Sequence, residues 1–364
     1  WPDHVDLLTD RAALSQRDGN PADAEARCRR VIALDQTAWQ AHHVLGWTLL
    51  GRNDRAGALA SFRRALAIEL AGPPPAQVAR ARAELTAALR SMERPLIVHT
   101  HSSKAGVLGR AAARAVGAEF VVHSIHGFGF HEGQAAWVRS AYVQAERKAA
   151  AWTDAFVSVS RANVAEAQAR GIIGQQHIVR VIRSGMDLAA FVPGPAEEAR
   201  MRLGVPLGTP FIVCIGNLKP QKDPLTMVDA FARLVRDRPQ AMLWFVGDGP
   251  LRPAVERRIR ARALEHRFNL VGWRKDVPDL IRASDIVASS AVFEGLPRAA
   301  VQAVRAQRPF VGTRVDGTSE IVRNGRGGLL VEPRDPEALA HALARGLDER
   351  PVEEDPARWC EAWS

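Results

Sequence analysis

Two short segments of the sequence combine charge, glycine and an expected helix start, a combination that binds phosphate. The first, Gly216-Asn-Leu-Lys-Pro-Gln-Lys-Asp223, follows an apolar run at 211–215 and precedes an expected helix. A phosphate fits there because the N–H groups at a helix N-terminus attract anions. Gly216 allows close backbone approach, and Lys222 supplies positive charge. A solvated basic turn is the alternative interpretation.

The second segment, Phe293-Glu-Gly-Leu-Pro-Arg298, also stands at an expected strand end and precedes an expected helix at 299–306. The N–H groups of Gly295 and Leu296 can receive phosphate oxygens. The Glu294 carboxylate suits sugar hydroxyls, which donate hydrogen bonds to it. Gln302 follows Glu294 by eight residues, about two helical turns, so we expect both on one face, with Gln302 within reach of a ribose. Two surface residues without a ligand are the alternative.

Short apolar runs alternate with amphipathic helices after Pro95, which predicts parallel strands joined by crossover helices. A Pro-Gly-Pro hinge at 193–195 divides them into two series. The expected strands are 96–99, 120–123 and 155–158 in the first series, and 211–215, 242–246, 269–271, 286–288 and 310–312 in the second. The pattern therefore predicts an α/β protein with two Rossmann-like domains facing a cleft.

The N-terminal region has a different pattern. Residues 5–70 repeat weakly at an offset of 34, the period of tetratricopeptide helices. The matching pairs are Ala12 with Gly46, Ala24 with Ala58, Cys28 with Phe62, Val31 with Ala65 and Ile32 with Leu66. We expect all-α tetratricopeptide-like helices in 1–94, a first Rossmann-like domain in 95–194 and a second in 195–364. An Ala-rich helical bundle without repeats is the alternative for the first segment.

The composition sets the class of protein. A chain of 364 residues, 47% hydrophobic and 24% charged, can bury a sizeable core. No signal peptide or membrane span is visible, so we expect a cytoplasmic protein, although a start at Trp1 indicates a processed or excised product. Cys28, Cys214 and Cys360 are too far apart for a disulfide framework or zinc site. The net charge of +9 favours a phosphate-rich partner or an anionic membrane surface. A mildly basic enzyme is the alternative.

Nine motifs follow one another along the chain. They are His99-Thr-His-Ser-Ser-Lys-Ala-Gly106, Val122-His-Ser-Ile-His-Gly-Phe128, Ser158-Val-Ser160, Arg183-Ser-Gly-Met-Asp187, the 216–222 loop, Val246-Gly-Asp-Gly-Pro-Leu-Arg252, Gly272-Trp-Arg274, the Glu294 cluster and Asp316-Gly-Thr-Ser-Glu320. With these motifs in this order, the chain resembles family 4 glycosyltransferases, retaining enzymes of the GT-B fold, over about residues 95–345.

The resemblance implies the roles of individual residues. Glu294 would contact the donor sugar, Lys222 the diphosphate, and His126 would lie beside the sugar; these three are the expected catalytic residues. A buried core histidine is the alternative for His126, and His99, His101 and His123 are expected to be structural or on the acceptor side. The expected donor-binding residues are Gly216, Asn217, Lys222, Trp273, Arg274, Glu294, Gly295, Leu296 and Gln302.

The chain departs from the family pattern at three places. Gln302 stands where the family has a second glutamate, and a neutral amide can still bind a ribose. Asn217 stands where the family has an arginine, which removes charge from the diphosphate site, and Lys219 or Arg252 would have to compensate. Three strands and a glycine-rich loop expected before Leu96 are absent, so the first domain is expected to be incomplete.

The implied reaction is transfer of a sugar from a nucleoside diphosphate sugar to an acceptor hydroxyl with retention, in polysaccharide or glycolipid synthesis. The acceptor would be a saccharide or a lipid-linked saccharide at the inner face of the membrane, and the helical repeats would bind a protein partner; no nucleic acid is expected. No metal or other cofactor is expected, because lysine and helix N-termini can stabilise the leaving diphosphate. A non-catalytic interaction protein with a remnant fold and a GT-B sugar-nucleotide epimerase are the alternatives.

Overall fold

The structure is a computed structural model, and it describes residues 12, 13, 15, 16, 20–36, 38–58, 60, 61, 64, 75–131, 134–353, 355 and 359. The chain divides into two compact units, Trp1–Met92 and Glu93–Ser364.

The described part of the first unit contains helices α1 (Pro21–Leu34), α2 (Trp39–Gly51) and α3 (Pro75–Arg90). Helix α1 has Pro21 at its first turn, and the Asn20 side chain accepts from the N–H of Asp23. Helices α1 and α2 pack on each other around small buried side chains. Ala24 and Cys28 are completely buried there, as the interlocking of a helix pair requires. Phe62, Ala65 and Leu66 of the repeat lie outside the described residues, so the tetratricopeptide assignment stays a prediction.

The second unit begins with a parallel sheet of four strands in the order β1-β2-β3-β4. Three predicted strands are confirmed, and β4 was not predicted. The strands are β1 (Ile97–His101), β2 (Phe120–Ile125), β3 (Ala155–Ser158) and β4 (Ile178–Val181), and the intervening helices are α4 (Ser103–Val116), α5 (Ala136–Ala150) and α6 (Arg161–Ala169).

One histidine is part of the core of this sheet. His123 on β2 is buried, its Nδ1 lies 2.9 Å from Thr100 Oγ1, and its ring meets Phe156 edge-on. Gly106 on α4 leaves the space that the ring needs, because a Cβ at Gly106 would lie 2.5 Å from it. Burial lowers the pKa of His123 to about 3, with help from Arg110 and the neighbouring histidines. Of the two roles expected for His123, structural or on the acceptor side, its burial in the core supports the structural one.

Among the described residues, the second sheet has seven strands in the order β10-β11-β9-β8-β5-β6-β7, and neighbouring strands run parallel. All five predicted strands are confirmed, whereas β10 and β11 were not predicted. The strands are β5 (Phe211–Ile215), β6 (Met242–Val246), β7 (Phe268–Gly272), β8 (Ile286–Ala288), β9 (Phe310–Thr313), β10 (Arg323–Asn324) and β11 (Gly327–Val331).

Seven helices accompany the second sheet, and they bury a core that includes Phe231, Leu243 and Phe245, each completely inaccessible to solvent. The helices are α7 (Ala196–Leu203), α8 (Pro224–Asp237), α9 (Arg252–Ala261), α10 (Val277–Ala283), α11 (Arg298–Arg305), α12 (Thr318–Ile321) and α13 (Pro336–Glu349).

The strand order reverses between β5 and β8. From β5 the chain adds β6 and β7 on one side, then returns to place β8 on the other side of β5. Open parallel sheets bind ligands at the carboxyl ends of the strands at such a switch point. The segments after β5 and β8 are the two segments that the sequence indicates as phosphate-binding.

Within the described residues, no helix combines the length and the apolar character that crossing a membrane would need.

Candidate functional site

A lysine and a glutamate meet at the carboxyl ends of β5 and β8. Lys222 ends a 3-10 turn, Pro220–Lys222, and its Nζ forms an ion pair with Glu294 Oε1. Only 23% of the lysine side chain and 9% of the glutamate side chain are exposed. The charge predicted for the diphosphate and the carboxylate predicted for the sugar therefore lie together, although 72 residues separate them in sequence.

Hydrogen bonds connect the two loops that carry this ion pair. The backbone carbonyl of Gln221 accepts from the N–H of Val292 at 2.8 Å. The Ser290 hydroxyl lies 2.9 Å from the backbone carbonyl of Lys222 and donates to it. These bonds hold Lys222 beside Glu294 independently of the ion pair.

Gly216 leaves room for the lysine side chain. The aliphatic part of Lys222 crosses Gly216, where an added Cβ would lie 3.2 Å from Lys222 Cδ and Cε. Any larger residue would displace the lysine or tighten its packing. Glycine at this position therefore serves the placement of Lys222 as well as the predicted approach of phosphate.

Two backbone N–H groups beside Glu294 are available to a ligand. Gly295 is buried and Leu296 is half-buried, and neither N–H has a hydrogen-bond partner within the described part of the chain. Both lie just before α11, where the helix dipole favours negative charge. A buried N–H without a partner costs free energy until an anion or water binds it. The pair is therefore suited to diphosphate oxygens.

The prediction that Glu294 and Gln302 lie on one face of a helix is wrong. Helix α11 begins at Arg298, so Glu294 precedes the helix and does not share a helical face with Gln302. Helical spacing applies only to residues inside one helix. Gln302 is half-buried on α11, and its contact with a ribose stays a prediction.

His126 lies in the loop after β2, beside the same cluster. Its side chain is exposed, so a buried core histidine is excluded. Its Nε2 lies 3.0 Å from His101 Nδ1, and the two rings stack. Partial desolvation and, second, the charge of His101 lower the pKa of His126. A Cβ on Gly295 would lie 1.9 Å from the His126 carbonyl oxygen, so the backbones of the two segments are in close contact.

Asp316 holds the backbone of Glu294, a role that the sequence did not indicate. Its Oδ2 accepts from the N–H of Glu294 at 2.5 Å, and its backbone is left-handed, with φ of +38°. The residue is exposed, yet the pKa of its carboxyl is raised to about 6. Desolvation is the main cause, the hydrogen bond from the N–H of Glu294 opposes it, and the charges of Glu294 and Glu166 add to it. The motif 316–320 contained this residue, but only the fold shows which atom it holds.

Glu320, in the same motif, connects the two sheets of this unit. Its Oε1 accepts from the N–H of Ala162 on α6 at 3.0 Å, and its Oε2 lies 3.1 Å from the guanidinium of Arg183. The loop that carries Asp316 is therefore anchored to the end of the first sheet.

The residues expected around the nucleotide lie near the ends of β5, β6 and β7. Trp273 follows β7 and is 71% exposed, and Arg274 forms an ion pair with Asp276. Asn217 follows Gly216 and is half-buried. Of the two groups considered as substitutes for the family arginine, Arg252 is paired with Asp248 and Glu256, whereas Lys219 is exposed.

A cavity of about 720 Å³ borders Glu294 on the side of the loop at 127–131. Among the predicted site residues, only Glu294 lines it. The other lining groups come from α6, from the 314–319 segment and from the turn after β11. The sequence could not indicate this cavity, because five separate segments form it.

Comparisons with known proteins define the class. A model described as the glycosyl transferase 4-like domain matches residues 3–185, and a model described as glycosyl transferases group 1 matches residues 209–349. The chain therefore belongs to this glycosyltransferase family. The first match includes nearly all of residues 1–94, for which the sequence predicts tetratricopeptide-like helices. Helical repeats and part of a glycosyl transferase 4-like domain are therefore competing interpretations of that segment.

Named relatives are similar over most of the chain. The UDP-Gal:alpha-D-GlcNAc-diphosphoundecaprenol alpha-1,3-galactosyltransferase of Escherichia coli is 31% identical over 259 residues, 70% of this chain and 67% of that protein. The putative glycosyltransferase EpsD of Bacillus subtilis (strain 168) is 26% identical over 253 residues, 68% of this chain and 66% of that protein. The matches thus span about two thirds of the length of these relatives.

The fold is shared with solved structures. The Anabaena protein HepE in complex with UDP and glucose has a TM-score of 0.68, covers 79% of this chain and 78% of its own, and is 22% identical. Sucrose-phosphate synthase of Thermosynechococcus elongatus has a TM-score of 0.68 at 20% identity, covering 80% and 76%. These similarities show that the chain has two parallel-sheet α/β domains of the GT-B type.

Proposed function

We propose that this protein transfers a hexose from a UDP-sugar to a hydroxyl of a lipid-linked saccharide, with retention at the anomeric carbon. The observation that carries the proposal is the Lys222–Glu294 pair beside the available N–H groups of Gly295 and Leu296. The cation and the N–H groups suit a diphosphate, and the carboxylate suits the sugar attached to it. The ligands named for HepE and the name of the Escherichia coli relative support UDP and a glycosyl-diphosphate acceptor.

The proposed step balances without a metal. The acceptor hydroxyl oxygen bonds to the anomeric carbon while the bond from that carbon to the diphosphate oxygen breaks. The bonding electrons leave with UDP, whose terminal phosphate takes the hydroxyl proton. Lys222 and the N–H groups of Gly295 and Leu296 stabilise the charge that develops on UDP. Glu294 holds the sugar hydroxyls while the ring gains oxocarbenium character.

The remaining predicted residues surround this centre. We place His126 beside the donor sugar, Gly216 and Asn217 at the diphosphate, Trp273 and Arg274 at the base, and Gln302 at the ribose.

We further propose that the N-terminal helices form tetratricopeptide-like repeats that bind a protein partner, and that the enzyme contacts the inner face of the membrane peripherally. The buried small residues between α1 and α2 support the first idea. A lipid-linked acceptor and the net charge of +9 support the second, because anionic lipids attract basic proteins.

The test is a transfer assay with UDP-galactose or UDP-glucose as donor and a lipid-tailed N-acetylglucosaminyl diphosphate as acceptor, with the product anomer assigned by NMR. We expect an α-linked disaccharide. Lys222→Ala should weaken UDP binding in calorimetry about tenfold, since a charged hydrogen bond contributes about 1.5–3 kcal/mol. Lys219→Ala, in the same loop but exposed, is the matched control. A β-linked product, or binding of no nucleotide sugar by the wild type, would refute the proposal.

A further inference from the structure

The cavity beside Glu294 is separate from the groups assigned to the nucleotide. Lys222, Gly216, Gln302 and Trp273 are absent from its lining, whereas Glu294 belongs to both regions. A molecule in the cavity would therefore meet the donor sugar only at Glu294. The volume of about 720 Å³ lies within the range of about 300–1,000 Å³ found for small-molecule sites.

The lining has an acidic end. Asp316 accepts from the N–H of Glu294, so the two residues are adjacent. Glu166, on α6, is paired with Arg170, which also lines the cavity. The charge of the Glu166 carboxylate helps to raise the pKa of Asp316, so these two carboxylates lie within electrostatic range of each other. Carboxylates accept hydrogen bonds from hydroxyl groups, so this end suits a sugar ring.

Two further residues of the lining, Arg314 and Arg334, are basic and exposed to solvent. Arg314 is 43% exposed and lies 3.3 Å from Glu332. Arg334 lies in the turn after β11 and is exposed. It has no ion pair with any residue that the structure describes. Its charge contributes to the lowered pKa of His131, after desolvation of that ring, so it lies near His131. Its backbone is left-handed, with φ of +65°, a conformation that non-glycine residues rarely adopt.

Aromatic rings also line the cavity. Phe128 and Phe130 stack with centroids 4.5 Å apart, and His131 stacks on Phe293 at 4.6 Å. Flat apolar faces such as these suit the C–H face of a pyranose ring, whose hydroxyls then point to the polar walls. The cavity thus combines an acidic wall, aromatic faces and a basic rim.

We infer that this cavity is the acceptor site and that it takes a glycosyl phosphate, with the sugar ring at the acidic end and the phosphate at Arg334. The inference rests on the proposed function, because only a sugar acceptor needs to reach Glu294. The guanidinium of Arg334, which has no ion pair among the described residues, favours a phosphate-bearing sugar over a neutral one. The orientation places an acceptor hydroxyl beside Glu294 and the phosphate, with any lipid attached to it, toward solvent.

The first experiment measures binding by NMR titration with two soluble probes, N-acetylglucosamine 1-phosphate and N-acetylglucosamine. We expect the wild type to bind the phosphate-bearing probe more tightly. Arg334→Gly, which fits the left-handed backbone, should lower the affinity for the phosphate-bearing probe about tenfold, and this loss should be smaller at high salt. The affinities of this variant for the neutral sugar and for UDP should stay within about twofold of the wild-type values. Arg334→Lys should recover part of the affinity. Arg236→Ala, an exposed arginine on α8 outside the lining, is the matched control.

Two outcomes of this titration would overturn the inference. One is the absence of probe binding at millimolar concentration, and the other is equal affinity of wild type and Arg334→Gly for the phosphate-bearing probe. Displacement of the probe by UDP would also overturn it, because the probe would then occupy the nucleotide site.

A kinetic experiment separates this inference from the proposed function. With the lipid-tailed diphosphate acceptor, Arg334→Gly should raise the KM for acceptor about tenfold and leave the KM for donor unchanged. If wild type transfers sugar to no acceptor while probe binding depends on Arg334, the proposed function fails and the site stands. If transfer proceeds and Arg334→Gly has the wild-type KM for acceptor, the inference fails and the function stands.

Discussion

At the scale of single residues, Glu294 has three interactions that fix it before any substrate binds. Its side chain is paired with Lys222, its N–H is held by Asp316, and the next residue touches the backbone of the His126 loop. The last two interactions keep the backbone of Glu294 in place whether or not its side chain is paired with Lys222.

Replacing Glu294 should therefore reduce turnover far more than nucleotide binding. In Glu294→Ala the sugar hydroxyls lose a charged acceptor, which should cost about 2–4 kcal/mol in the transition state, or roughly 30-fold to 1,000-fold in kcat. Steady-state kinetics and UDP calorimetry measure the two effects. Glu197→Ala, an exposed glutamate on α7, is the control. Turnover at the wild-type rate in Glu294→Ala would remove this role.

Asp316 should give the protein a recognisable pH dependence. Its folded pKa of about 6 lies above the ordinary value, so its contribution to stability is complete below about pH 4 and is lost as pH rises through about 6. Asp316→Asn keeps an acceptor for the N–H of Glu294 and tolerates the left-handed backbone. The Tm of this variant minus that of wild type should therefore become more positive between pH 5 and pH 7.5.

The matched control for this experiment is Asp276→Asn. Pairing with Arg274 lowers the pKa of Asp276, so both its folded and unfolded values lie below pH 5. Its Tm difference from wild type should stay constant over the same pH interval. A constant difference for Asp316→Asn as well would contradict the raised pKa of that carboxyl.

At the scale of elements, the loops after β2 and β8 meet through glycine. A Cβ at Gly295 would approach the His126 carbonyl oxygen to 1.9 Å, a distance that only backbone movement can relieve. Gly295→Ala should lower both the Tm and kcat, since such overpacking costs about 1–3 kcal/mol. Thermal melts and kinetics check this, with Gly185→Ala, which has nothing within 4 Å, as the control. A Gly295→Ala enzyme with unchanged Tm and kcat would show that the loops do not need this approach.

The elements themselves differed in how well the sequence indicated them. Apolar runs such as Phe211–Ile215 gave the central strands, because both faces of those strands are buried. Strand β4 has two exposed positions, and β11 begins with two glycines, so neither carries a strong strand pattern. The proximity of Lys222 and Glu294 could be predicted from the sequence, since the two residues follow adjacent parallel strands. Asp316 and the cavity could not, because they depend on a left-handed backbone and on loops distant in sequence.

At the scale of the whole molecule, the sheet at the start of the second unit ends in an apolar edge. Strand β1 lies at the end of its sheet among the described residues, and Ile97 is 67% exposed. If residues 1–94 substitute for initial strands of the first domain, a variant lacking them should melt at a lower temperature, because the sheet edge at β1 would lose its stabilising partner. UDP affinity should survive, since the second sheet carries the predicted diphosphate groups.

The full chain and residues 95–364 are compared by UDP calorimetry, by thermal melts and by their transfer rates. Equal melting temperatures and equal transfer would eliminate the idea that residues 1–94 substitute for the missing strands of the first domain. They would then be an independent module.

The ion pair at the centre of the site also bears on how the enzyme lets its product go. In the proposed donor complex, phosphate replaces Glu294 as the partner of Lys222, and sugar hydroxyls replace Lys222 as the partners of Glu294. In the proposed product complex, UDP alone would draw Lys222 to its phosphates and would leave a shielded carboxylate without a counter-charge, which is unfavourable. Reforming the pair therefore favours departure of the spent nucleotide, so each completed transfer helps to empty the site for the next donor.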